Sequence, residues 1–394
     1  MPKKLWLLLI GMVINVVGSS FLWPLNVIYI HDVLGKSLTM AGVVLMLNSA
    51  SGVVGNLVGG FLFDRFGGYR SILIGVIITS LSAIGLVWNH SWPYYVVFLM
   101  FLGLGSGMVF PSMYAMAGSV WPEGGRKPFN SMYVAQNIGV AVGAALGGFV
   151  ANISFELTFI ANAGMYALFF LLAIFSFKGI HVEKTKQTSI LEQKLTIKNK
   201  TKFTALLVLC IGYMLSWMAY VQWQSNIASY TQDLNISLNQ YSLLWTINGA
   251  LIVLAQPFVS TIVRVFAKTL KSQIILGLII FIGSFVIVSN ATQFTGFVVA
   301  MVILTIGEMF VWPAVPTVAN ELAPKGREGF YQGVVNSAAT GGRMLGPVVG
   351  GLMVDFYSIH ALFFLLMGVL ALSIVTTYFY DKNLKKEETQ AIAV

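Results

Sequence analysis

Two charged side chains lie deep inside apolar stretches of this 394-residue chain, Glu308 in TIGEMFVWPAVPTVANE (305–321) and Arg343 in GGRMLGPVVGG (341–351). A charge at the centre of an apolar layer costs about 2.5–3.5 kcal/mol on insertion scales, so each needs a partner or water. Two readings are open. Glu308 and Arg343 form a buried structural pair, or Glu308 faces a cavity and exchanges a proton for a solute while Arg343 competes for it. A pair that opens and closes during a conformational cycle accommodates both. A third group of charges, Asp64, Arg65 and Arg70, punctuates GGFLFDRFGGYRS (59–71), where Gly60 and Gly67 permit close helix approach and a tight reversal. Other chemistry finds no support: there is one cysteine, no GxxxxGK[ST] phosphate loop, no HExxH pair and no nucleophile–base constellation. His31, His90, His181 and His360 fall in loops or at span ends. No cofactor is expected, and the energy source that remains is an ion gradient.

The elements that must hold these residues follow from composition. Hydrophobic residues make up 57% and charged residues 9%, and the mean hydropathy is +0.82. A soluble domain carries roughly 25% charge, so this chain could not cover its own surface in water. Stretches of about 20 apolar residues, the length a helix needs to cross a bilayer, occur twelve times: 5–30, 38–62, 72–88, 94–117, 129–152, 157–177, 203–226, 239–263, 272–290, 295–320, 330–354 and 360–380. The first follows Lys3 and Lys4 like a signal peptide, but its run is too long for one and is read as a span. The runs are continuous rather than alternating, which excludes a β-barrel. The expected fold is an all-α membrane protein of twelve transmembrane helices.

The net charge of +9 is a topology signal and not a nucleic-acid footprint. Of the 23 lysines and arginines, 21 fall on one side of this span count, leaving only Lys36 in an opposite loop and Arg343 inside a span. The excess of basic residues marks the cytoplasmic side, so both termini are expected there. The polar stretch 178–202 divides the spans six and six, giving bundles at 1–177 and 203–394. The halves repeat: Gly105, Pro111, Ala117 and Pro122 recur 202 positions later as Gly307, Pro313, Ala319 and Pro324. Gly143, Gly147 and Gly148 recur 203 positions later as Gly346, Gly350 and Gly351. Two pseudo-symmetric six-helix bundles that rock about a midplane site fit a carrier. Ser106 stands where Glu308 does in the second half, so the chemistry is asymmetric.

The 59–71 segment resembles the loop signature of the major facilitator superfamily, roughly G-x-L-a-D-r-x-G-r-k. Gly60, Asp64, Arg65, Gly67 and Arg70 fit it, while Gly68 and Tyr69 depart from it. The resemblance implies that Asp64 pairs with a neighbouring basic residue and with the N-terminal end of the eleventh helix, latching the cytoplasmic side. AQNIGVAVGAALGG (135–148) is similar to the glycine-rich motif of the drug/proton antiporter branch, with Ala144 where that motif has proline, and 341–351 carries the fuller version. Small residues at four-residue spacing read as a packing seam, compatible with a hinge. The 305–321 segment resembles a lactococcal-type multidrug/proton antiporter subgroup, which implies a proton-coupling role for Glu308. Two other acidic positions of that subgroup fall on Met132 and Gln224, and the branch's helix-four arginine falls on Leu99.

Polar and aromatic residues at helical spacing give the expected substrate cavity: Asn15, Ser19 and Asn26 in the first span, Tyr133, Gln136 and Asn137 in the fifth, Tyr213, Trp217, Tyr220 and Gln224 in the seventh, and Thr305 and Trp312 beside Glu308 in the tenth. The expectation is a monomeric, proton-coupled exporter of amphipathic small molecules in a bacterial cytoplasmic membrane. A carrier of a specific, anionic or lipid-linked substrate held by Arg343 is the alternative, and a transport-dead membrane sensor is a third reading.

Overall fold

The computed structural model describes residues 1–22, 25–36, 38–180, 197–265 and 267–384. Residues 181–196 of the expected linker, including His181, Lys184, Lys186 and Lys194, lie outside the described residues, as do Lys385 and Lys386. A chain without water around it must satisfy its backbone groups internally. The described residues accordingly form helices and no strand. The long helices are α1 (Lys3–Leu22), α2 (Leu38–Phe66), α3 (Gly68–Trp88), α4 (Tyr94–Val120), α5 (Lys127–Ile153) and α6 (Phe155–Leu172), then α7 (Ile197–Tyr220), α8 (Leu238–Leu254), α9 (Leu270–Val288), α10 (Phe294–Leu322), α11 (Glu328–Phe356) and α12 (Ile359–Phe379).

Among the described residues ten helices are long and apolar enough to cross a membrane. The two expected spans outside this set are α8 and α11. α11 has 29 residues, about 43 Å at 1.5 Å per residue, more than the ~30 Å hydrocarbon core. Its glycines, amides and Arg343 dilute its apolar content. The eighth span was expected unbroken over 239–263; instead α8 ends after 17 residues, and a separate helix covers Gln256–Val265. Pro257, in the first turn of that second helix, has no backbone N–H to carry the hydrogen-bond ladder of α8 across the break.

Helix starts follow local chemistry. Ser154 caps α6 through the Glu156 N–H at 3.0 Å. Ser237 with Gln240 and Thr269 with Ser272 form reciprocal capping boxes on α8 and α9. Gly67, at φ +88°, makes the left-handed turn that separates α2 from α3 and that other residues adopt at a cost.

The chain forms two compact units, Met1–Gln187 with Lys325–Ser337, and Thr188–Pro324 with Ala338–Val394. The N-terminal turns of α11 thus pack with the first six helices. The repeat seen in the sequence reappears as repeated packing inside each unit. A Cβ on Gly75 of α3 would lie 2.9 Å from the Gly105 carbonyl of α4, and a Cβ on Gly277 of α9 would lie 2.7 Å from the Gly307 carbonyl of α10. Gly139, Gly143 and Gly147 of α5 press on Val16, Ser20 and Phe21 of α1, while Gly342, Gly346 and Gly350 of α11 press on Met214, Val221 and Gln222 of the α7 segment. These stripes are backbone-contact seams, where a side chain would force the helices apart.

Candidate functional site

Thr305, Glu308 and Trp312 are spaced i, i+3 and i+7, so they share one face of α10. That face is turned inward, with Glu308 only 1% exposed. Asn248 of α8 donates from Nδ2 to Glu308 Oε1 at 2.5 Å, and Trp312 donates from Nε1 to Oε2 at 3.1 Å. The other Asn248 amide hydrogen goes to Thr305 Oγ1 at 2.9 Å, and the Thr305 hydroxyl donates to the Met301 carbonyl at 2.7 Å. The amide is therefore oriented by its neighbours before it meets the carboxylate. The Tyr220 hydroxyl lies close enough to the Glu308 carboxylate to interact with it electrostatically; a phenol can donate or accept, so it can serve either protonation state.

Neutral donors thus hold both oxygens of a buried carboxylate. Hydrogen bonds to a charged group contribute about 1.5–3 kcal/mol each, which offsets part of the cost of burial. The sequence reading missed Asn248. Its signal was a lone amide in an apolar run, LLWTINGALIVLA, and nothing in the run tells which neighbour that amide faces.

Around this cradle the aromatic residues close up. Trp217 and Trp312 stack at 4.4 Å with 11° between their planes. Tyr213, Tyr220 and Phe281 meet the Trp312 ring at 5.6, 5.5 and 5.5 Å. On Trp217 the Arg343 guanidinium carbon lies 4.6 Å from the ring centroid, and Arg343 Nη2 donates to Thr340 Oγ1 at 3.2 Å. Gly342 allows this approach: a Cβ there would overlap the Met214 carbonyl and come 2.6 Å from Trp217 Cβ. Arg343 and Glu308 are thereby linked through two stacked indoles.

Trp217, Tyr220, Thr305, Glu308, Trp312 and Arg343 are brought together within the second unit. Gln224 is not in that group. α7 tightens into a 3-10 turn over Val221–Gln224, leaving Gln224 exposed while Gln222 is buried. Gln222 donates to the Gly346 carbonyl at 2.7 Å, a contact that periodicity in a regular helix could not foresee.

The first-unit candidates have local partners. Ser19 donates to the Val16 carbonyl at 3.0 Å, and Asn137 to the Tyr133 carbonyl at 2.9 Å. Gln136 accepts from the Tyr114 hydroxyl at 3.2 Å. Asn26 accepts from Tyr95 at 2.6 Å, beside a cluster in which Tyr29, Tyr95 and Phe159 pack. Tyr133 is 5% exposed and Asn15 1%; both Asn15 amide atoms are buried without a hydrogen bond. A packing role accounts for Asn26, whereas Asn15 presents polar atoms with no protein partner.

The 59–71 motif has its own geometry in the first unit. Asp64 accepts from the Gly329 N–H at 2.8 Å and the Phe330 N–H at 2.9 Å, so a carboxylate sits on the N-terminus of α11. Such a placement is favourable by about 0.3–1 kcal/mol, and more when partly buried. Gly60 is what brings the helices this close, since a Cβ on it would overlap the Gly329 carbonyl. Arg65 and Arg70 are exposed, with Arg65 lying 5.3 Å from the Phe66 ring. Among the described residues, Glu328 in turn accepts from the Gly326 N–H at 2.9 Å.

Helical architecture, duplicated packing and an intramembrane carboxylate define a polytopic membrane carrier, and comparison with known proteins makes this specific. The profile of the Major Facilitator Superfamily matches residues 8–339 and 203–393. The chain is 60% identical over 385 residues to the MFS-type transporter YttB of Bacillus subtilis, covering 98% of this chain and 97% of that protein. It is 24% identical over 404 residues to the quinolone resistance protein NorA of Staphylococcus aureus, covering 99% of this chain and all of that protein. Among solved structures, the human organic anion transporter MFSD10 superposes with a TM-score of 0.76 at 14% identity, over 96% of this chain and 100% of that one. A POT family transporter superposes at 0.78 with 17% identity, over 97% of each chain. This chain belongs to the major facilitator superfamily. It is a multi-pass membrane transporter of small molecules.

Proposed function

We propose that the chain exports amphipathic cationic or neutral molecules in exchange for protons across a bacterial plasma membrane, as a monomer with both termini in the cytoplasm. The observation that carries this reading is Glu308: a buried carboxylate held by Asn248 and Trp312 inside a box of aromatic rings. A group so placed can take up a proton on one side of the membrane and release it when an amphipathic guest enters. The aromatic walls provide apolar area without strict shape demands, which suits varied substrates. The relationship to NorA, a quinolone resistance protein, points the same way. Asp64 on the α11 N-terminus, with Gly60 and Gly67 shaping the turn and Arg65 and Arg70 at the membrane boundary, would act as the cytoplasmic gate.

The test is transport of a fluorescent lipophilic cation in proteoliposomes under an imposed pH gradient, comparing wild type with Glu308→Gln. Gradient-driven movement by wild type, lost in a folded Glu308→Gln protein, is the expected outcome. Equal movement by both would remove Glu308 from the coupling step, and no movement by wild type would remove the multidrug reading.

A further inference from the structure

Trp217 is covered on both faces. Trp312 stacks at 4.4 Å and 11°, and the Arg343 guanidinium carbon lies 4.6 Å from the same centroid. Two groups at those separations cannot share a face, so Arg343 covers the side opposite Trp312. Exposure is graded along this stack: Arg343 and Trp217 are half-buried, while Trp312 is 5% and Glu308 1% exposed. The accessible end is a cation on an indole, and the inner end is an indole donating to a carboxylate.

We infer that Arg343 is a tethered occupant of a cation-recognising aromatic face, and that planar aromatic cations bind by displacing its guanidinium from Trp217. This rests on the export of amphipathic cations proposed above and assigns the element that selects among them. A guanidinium is a flat, delocalised cation suited to stacking on indoles. A planar aromatic cation presents the same charge with a larger ring area, so exchange conserves the cation–π contact and adds dispersion. A neutral planar molecule offers no such replacement. An anion would pair with Arg343 and leave it in place. Trp312, braced by Tyr213, Tyr220 and Phe281, keeps the far side of Trp217 occupied, so the exchange is confined to the Arg343 side.

The experiment is binding of ethidium to the purified full-length protein in detergent, read by ethidium fluorescence anisotropy, with helix content checked by circular dichroism. Arg343→Gln removes the tethered competitor, and the ethidium dissociation constant is expected to fall roughly two- to thirtyfold, the range a cation–π contact spans. Arg343→Lys, which retains a cation, should stay near wild type. Adding Trp217→Ala to Arg343→Gln should abolish the gain. Unchanged or weaker binding by a folded Arg343→Gln protein overturns the inference, as does a gain that survives Trp217→Ala. Wild-type dye transport in proteoliposomes separates the two ideas. Transport without the Arg343→Gln gain leaves export standing and sinks the tethered-cation role. The gain without transport does the reverse.

Discussion

Trp312 donates its indole N–H to Glu308 while the opposite edge of the same residue's environment is the parallel ring of Trp217, 4.4 Å away. One side chain therefore couples the state of the carboxylate to the aromatic wall. Trp312→Phe keeps a ring but deletes the donor to Oε2. It should lower thermal stability by an amount within the ~1–3 kcal/mol cost of leaving a buried polar group unsatisfied, measurable as a drop in Tm in detergent. In the Glu308→Gln background the same substitution should cost less. Equal costs in the two backgrounds would show that the hydrogen bond contributes nothing.

Asn248 makes a sharper case, because it serves Glu308 and Thr305 at once. Asn248→Ala should destabilise by about 2 kcal/mol or more, combining the loss of a donor to the buried Glu308 carboxylate with the small cavity left behind. A double-mutant cycle with Glu308→Gln should be non-additive, since residues in one hydrogen-bond network couple by 0.5–3 kcal/mol. Additive losses would separate Asn248 from the carboxylate.

At the cytoplasmic end, Asp64→Asn preserves shape and removes the charge that accepts from Gly329 and Phe330. Helix-end stabilisation of about 0.3–1 kcal/mol should be lost. Hydrogen exchange in the peptide covering 325–337 should then accelerate, with exchange in α9 and α10 unaltered. Unchanged exchange at 325–337 would exclude Asp64 as the group that holds this helix end.

The glycine seam offers a paired control. A Cβ on Gly346 would overlap Val221 and approach the Met218 carbonyl at 3.0 Å, whereas a Cβ on Gly351 meets nothing within 4 Å. Gly346→Val should be severely destabilising, because the stiff β-branched Val221 side chain and the Met218 backbone together leave no room for it. Gly351→Ala should be neutral or slightly stabilising, by up to about 1 kcal/mol from helix propensity. Thermal unfolding of the two variants side by side distinguishes a packing seam from a stripe of small residues without structural duty.

Much of the architecture was legible because the bilayer imposes one-dimensional rules. Apolar runs of sufficient length, the one-sided distribution of lysine and arginine, and the 202-residue offset that pairs Gly105 with Gly307 are all properties of the chain as a string. So is the isolation of Glu308 and Arg343, since a charge in an apolar run stands out whatever surrounds it. The tertiary structure decided which way each helix is turned. In a membrane protein the lipid-facing and protein-facing sides are both apolar, so the periodicity that orients a helix in a soluble protein is largely erased. For that reason Asn248 could not be matched to Glu308, Gln222 could not be told from the exposed Gln224 as the buried amide, and the Arg343 guanidinium could not be matched to the Trp217 ring. The sequence determines that this chain spans a membrane and carries two intramembrane charges; close packing in three dimensions, set by which glycines let which helices touch, determines what those charges meet.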